Sequence, residues 1–198
     1  MNYLAHAYLS FKKTGILTGN MISDHVKGKL MYEYDPKVLA GIRLHRLIDN
    51  FTDQHPSVKH IKTFFSPSYG LYSAVFADVI LDYFLANDTN IFTEISLKEF
   101  TSDCYSMLDD SSDIFPLGFA RIFPHMKSGD WLANYRFDRG IENSFRGLAC
   151  RAKYMNDSSD AFNIFLNNKA QLHVHYLNFF PELKAYSQQR LKELMGSD

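Results

Sequence analysis

Residues 71–86 are apolar almost all round a helical wheel, and two aspartates, Asp78 and Asp82, sit four apart inside that run. A helix that is apolar on every face has to be buried. A buried carboxylate costs several kcal/mol unless it is paired or bound to a cation. Like charges at i and i+4 share a face and repel. The fold must therefore wrap this segment and also bring a cation to it. A divalent metal would serve, because carboxylate oxygens are hard ligands. So would Arg43, Arg46 or Arg151. With no cation the pair destabilises the fold, so neutralising Asp82 is expected to leave the metal-free protein folded and more heat-stable.

The rest of the chain also reads as helix. Leu44, Leu47, Ile48 and Phe51 form an i, i+3, i+4, i+7 stripe, and the C-terminal segment repeats such spacing through Phe162, Phe165, Leu166, Leu172, Tyr176, Phe179 and Phe180. Ten glycines and six prolines are too few for a turn-rich β-sandwich. Breaks fall at Thr14-Gly15, Gly28, Asp35-Pro36, His55-Pro56, Pro67 to Gly70, Asn87 to Asn90, Asp109 to Pro116 and Ser128-Gly129. They leave roughly six to eight helices. Pro181 is expected to kink or divide the last one. With 46% hydrophobic residues the 198-residue chain can bury a sizeable core. The expectation is one all-α domain over residues 1–198, a compact helical bundle.

Other polar residues interrupt apolar helices. The helix that carries residues 41–53 starts at Asp35-Pro36, with Asp35 as N-cap and Pro36 at the first helical position. His45 and Asp49, four apart, share a face with Val38 and Ile42. They are either an ion pair in the core, Asp49 with His45 or Arg46, or part of a site. His6 lies in an apolar segment, where a hydrogen-bonded core histidine is the alternative to a ligand. Asp24 can be a turn carboxylate or a site residue. Together His6, Asp24, His45, Asp49, Asp78 and Asp82 offer imidazole and carboxylate without sulfur, the ligand chemistry of Mn²⁺, Mg²⁺, Fe or Zn. His173 and His175, two apart, fall on different helix faces and read as surface or core residues.

Charge and cysteine content narrow the partners. The formal net charge is −1, so whole-molecule attraction to nucleic acid or an anionic membrane is not expected. Charge is nonetheless uneven: net +4 over residues 1–62, −7 over 63–130 and +2 over 131–198. Lys12, Lys13, Lys27, Lys29, Lys37, Arg43 and Arg46 supply most of the first excess, either as a solvated surface or as a basic rim for an acidic partner. Two cysteines, Cys104 and Cys150, exclude a disulfide scaffold and suit a reducing compartment. With no signal-peptide pattern and no 18-residue apolar run, a cytoplasmic protein is expected.

One family matches these residues in order. Met1-Asn2-Tyr3-Leu4-Ala5-His6, Gly19-Asn20 with Asp24, Gly41-Ile42 with His45-Arg46 and Asp49, Thr52-Asp53, and His55-Pro56 resemble the acyl carrier protein phosphodiesterases. So do Asp78 and Asp82, Trp131-Leu132 with Tyr135, Asn143, Gly147-Leu148-Ala149 with Arg151, and Phe179 to Pro181. The resemblance implies an all-helical fold distantly similar to HD-type metal-dependent phosphohydrolases. It implies removal of 4′-phosphopantetheine from holo acyl carrier protein in fatty acid biosynthesis, with Mn²⁺ as the usual metal and Mg²⁺ or Fe²⁺ as others. On this carry-over His6, His45, Asp49 and Asp82 hold the metal. Asp24 and Asp78 lie beside it; either is expected to be the base that orients the attacking water, with Arg46 as a clamp on the phosphate. Tyr83 stands where the family often has His.

Two other functions fit the residues: an HD-type phosphohydrolase of a small nucleotide phosphoester, and a non-catalytic helical protein that binds a carrier protein or a metal. Carrier proteins are generally acidic, so the basic rim suits such a partner.

Overall fold

The computed structural model describes residues 1–151 and 158–196, with side chains for 1–149 and 158–196. Among them every regular element is a helix. The α-helices are α1 (Tyr3–Tyr8), α2 (Thr14–Ile22), α3 (Pro36–Gln54), α4 (Pro56–Tyr69), α5 (Ser73–Asn87), α6 (Glu94–Asp109), α7 (Leu117–Ser128), α8 (Trp131–Asn134), α9 (Asp138–Arg151) and α10 (Ser159–Met195). Short 3₁₀ turns cover Ser23–His25, Gly28–Glu33, Gly70–Tyr72 and Ser112–Ile114.

Local chemistry sets the boundaries near the site. The Asp35 side chain accepts from the Lys37 N–H at 2.9 Å and Pro36 opens α3. His55 ends α3, and its ring accepts from the Ser57 N–H to start α4. Pro67 lies within α4, which runs on to Tyr69 and stops at Gly70, where φ is +53°. Very short helices such as α1 and α8 raise the number above the sequence expectation. Helix α10 runs unbroken through Pro181. Both Pro181 and Leu177, whose carbonyl loses its i+4 donor there, lie on the exposed face, so water can take that hydrogen bond.

Helix α5 is the centre of the bundle. It packs on α1, α4, α9 and α10, and buries Phe76, Ile80, Leu81 and Leu85 completely. Helices α2 and α3 pack on each other, and α10 lies along α3 and α4. The stretch Pro56–Asn87 is long and apolar enough, by composition, to cross a membrane. The sequence reading found no such run. The segment is mostly buried inside the fold.

Candidate metal centre

Two glycines let α2 and α3 touch backbone to backbone. A Cβ at Gly41 would lie 2.3 Å from the Ile16 carbonyl oxygen, and one at Gly19 would lie 1.9 Å from that of Val38. This close crossing sets Asn20 beside α3. The backbone carbonyl of Asn20 accepts from His45 Nδ1 at 2.8 Å. Its side chain, also buried, donates to the His6 carbonyl at 3.0 Å and to Ser10 Oγ at 3.1 Å. The amide oxygen therefore faces His6 Nδ1, at 2.8 Å, and accepts its proton. One residue thus holds Nδ1 protonated on both histidines, and in neutral imidazoles this leaves both Nε2 atoms bare.

Both Nε2 atoms aim at one carboxylate. His6 Nε2 is 3.2 Å from Asp49 Oδ1, and His45 Nε2 is 3.0 Å from Asp49 Oδ2. His45 Nε2 is also 3.1 Å from Asp24 Oδ1, in the 23–25 turn. The two rings stack with centroids 4.0 Å apart. His6 Nε2 is buried and makes no hydrogen bond, despite its approach to Asp49. A bare lone pair facing a carboxylate calls for a cation between them. Burial and the neighbouring His45 lower the His6 pKa to about 4. Burial also opposes charge on His45, but the carboxylates of Asp24 and Asp49 outweigh it and hold the imidazolium to about 9. Asp24 is lowered by its hydrogen bond from His45. Burial raises Asp49, yet His45, His6 and the Met1 ammonium together bring it below the usual carboxylate range. In this state the His45 proton is the cation of the cluster.

The same atoms suit a divalent ion. One ligand atom each from His6, His45 and Asp49 lies within 4.8 Å of the others. Neighbouring ligands of an octahedral ion bound at about 2.1 Å sit about 3.0 Å apart, close to the nitrogen–oxygen separations here. Two imidazoles and a carboxylate fit manganese, iron or zinc, and nothing soft is present.

The aspartates of α5 take another role. The Met1 ammonium is fully buried, 3.0 Å from Asp78 Oδ1 and 3.8 Å from Asp49 Oδ1. Burial disfavours its charge, but Asp78 and Asp49 outweigh this and raise its pKa. Asp82 is wholly buried and accepts from the N–H groups of Leu4 at 2.7 Å, Asn2 at 3.2 Å and Ala5 at 3.4 Å. It caps the first turn of α1, the helix that carries His6. Burial pushes its carboxyl up to about 7, against the pull of the Met1 ammonium and these N–H groups. The sequence reading set Asp82 among the metal ligands and gave Asp78 a possible part in orienting water. The structure brings neither into the cluster, because both already serve the chain's first residues. The cation required by α5 is the α-ammonium.

Comparison with known proteins assigns the chain. Residues 1–183 match the family profile described as "Acyl carrier protein phosphodiesterase". The chain belongs to this family. A protein of that name from Serratia proteamaculans is 30% identical over 92% of this chain and 95% of its own length. One from Yersinia pestis is 29% identical over 96% and 99%, and one from Escherichia coli O157:H7 (strain EC4115) is 29% identical over the same shares. No solved structure gives a significant match.

In this member of the family Arg46 turns away from the cluster. Its guanidinium meets Met31 Sδ at 3.1 Å and the Val26 carbonyl at 3.4 Å. Tyr83 points to the other side of α5, packing edge-on against Phe165 with the Lys169 ammonium 4.6 Å from its ring centroid. The side chain of Arg151 lies outside the described residues. A surface groove of about 470 Å³, lined by Asp109, Phe115, Phe123 and Lys127 among others, shares no residue with the cluster. Sequence reasoning gave neither Asn20 nor Met1 a role in the site. An amide inside the largely apolar run 16–22 was the available signal for Asn20; no residue type signals the α-ammonium.

Proposed function

We propose that this protein hydrolyses the phosphodiester between 4′-phosphopantetheine and a serine of holo acyl carrier protein, using a divalent metal, Mn²⁺ by preference, held by His6, His45 and Asp49. The observation that carries the reading is the convergence of two imidazole Nε2 nitrogens on one carboxylate at about 3 Å, in a chain whose relatives bear that activity in their names. A bound ion would supply a water of lowered pKa and polarise a phosphoryl oxygen. The chain's own part is to hold and orient. Asn20 keeps both Nε2 atoms aimed at the ion. Asp24, its side chain 69% exposed at the mouth of the cluster, is ionised and takes a proton from the attacking water. The hydroxyl from water ends on phosphorus, the bond from phosphorus to the serine oxygen breaks, and that oxygen regains a proton. The products are apo carrier protein and 4′-phosphopantetheine.

The test is incubation of the protein with holo carrier protein, with Mn²⁺ or with chelator, followed by intact-mass measurement. Loss of the arm with Mn²⁺ alone is expected. Loss that chelator does not prevent would overturn the metal assignment. No loss, with turnover of a nucleotide panel instead, would replace the substrate.

A further inference from the structure

Residues 27–32 form a ledge next to the cluster. Met31 is buried and anchors it, while Lys27, Lys29, Leu30 and Tyr32 face outward. Leu30 and Tyr32 are 54% and 62% exposed, large apolar side chains left in water. The Arg43 guanidinium, from α3, stands 6.0 Å from the centroid of the Tyr32 ring. Arg46, also exposed, holds the ledge to α3 through Met31 Sδ and the Val26 carbonyl. Val26 directly follows the turn whose Asp24 touches His45. The ledge therefore follows the Asp24 turn directly along the chain and is tied to α3 one residue past His45.

Its three cations outnumber the one exposed carboxylate of the same turn, Glu33. Among the described residues, Lys27, Lys29 and Arg43 form no ion pair. The three flank two exposed apolar side chains, Leu30 and Tyr32. The acidic excess of the chain lies instead over residues 63–130. An anionic partner is thus drawn to the ledge.

Resting on the proposed function, we infer that Lys27, Lys29, Leu30, Tyr32 and Arg43 seat an acidic, partly apolar surface of the carrier protein, placing its phosphodiester at Asp24 and the two histidines. Its carboxylates meet the three cations, and its apolar side chains cover Leu30 and Tyr32. Such a seat gives charge-steered association with an apolar centre that slows release.

The test measures binding of fluorescent holo carrier protein at low and high salt, with arm release followed separately by mass. Lys27→Glu/Lys29→Glu should weaken binding about tenfold at low salt and flatten its salt dependence. Tyr32→Ser should weaken it about threefold at either salt concentration, since its contact is apolar. Lys12→Glu/Lys13→Glu, a charge change of equal size in the turn between α1 and α2, should leave binding within twofold. Mn²⁺ affinity, unchanged in every variant, shows the cluster intact. Ledge variants that bind within twofold of the unaltered chain, or a control pair that weakens binding equally, would overturn the seat. Absence of arm release by the unaltered chain, with binding still dependent on the ledge, would count against the proposed function and not against the seat.

Discussion

Asp82→Ala separates a helix cap from a metal ligand. The substitution leaves the N–H groups of Asn2, Leu4 and Ala5 without their buried acceptor. An orphaned buried donor costs about 1–3 kcal/mol. The bond to Ala5, at 3.4 Å, is long and shares an oxygen with Leu4, so two donors dominate. Asn2 still caps Tyr3 with its own side chain, so α1 does not lose every cap. The net cost is about 3 kcal/mol, or a fall of about 6–12 °C in Tm for a chain of this size. The measurement belongs at pH 6. Burial holds the Asp82 carboxyl near 7, so at pH 6 it is largely neutral and its removal relieves little buried charge. The assay is thermal unfolding with Mn²⁺ and with chelator, for both proteins. The fall should appear in chelator, with no metal needed. An unchanged or raised Tm in chelator, or a fall seen only with Mn²⁺, would refute the cap. Sequence reasoning alone gives the opposite sign, because it sees two repelling carboxylates and neither the N–H groups nor the ammonium that meet them.

Other outcomes follow from the same geometry. The double variant His45→Ala/Asp49→Ala should lose Mn²⁺ binding by calorimetry; undiminished binding would remove these residues from the centre. In chelator, the His45 pKa of about 9 exceeds its ordinary 6.5, so its contribution to stability is complete below pH 6.5 and lost as pH rises towards 9. His6, lowered to about 4, acts in reverse: its contribution is lost as pH falls from 6.5 towards 4. Without metal, imidazole NMR titrations should place the two rings far apart; rings that titrate together would contradict this. Gly41→Ala would drive a Cβ to within 2.3 Å of the Ile16 carbonyl oxygen. It should cost about 3 kcal/mol and weaken Mn²⁺ binding by displacing Asn20 from His45. Calorimetry with unchanged affinity in a folded Gly41→Ala protein would show that the crossing does not position the site.

What the sequence determined by itself was the class of fold and the pool of candidates. Apolar spacing at 3.6 residues made the chain helical, and Asp35-Pro36 and His55-Pro56 marked real boundaries because capping and proline act within one turn. The i, i+4 rule set His45 and Asp49 on one face, and they meet there. The same rule grouped Asp78 with Asp82 but could not say what each would face. Periodicity names the side of a helix, while the neighbour across it comes from segments distant in the chain. Asp78 meets an ammonium 77 residues away, and Asp82 caps a helix whose first turn is about as distant. The glycine crossing of α2 and α3 is of the same kind, since Gly19 and Gly41 tell of close approach only once both helices are in place. Tertiary packing therefore decided which carboxylates remain open to a metal. The aspartates enclosed with the chain's first residues were already hydrogen-bonded there, and those at the mouth, Asp24 and Asp49, were left facing the histidines.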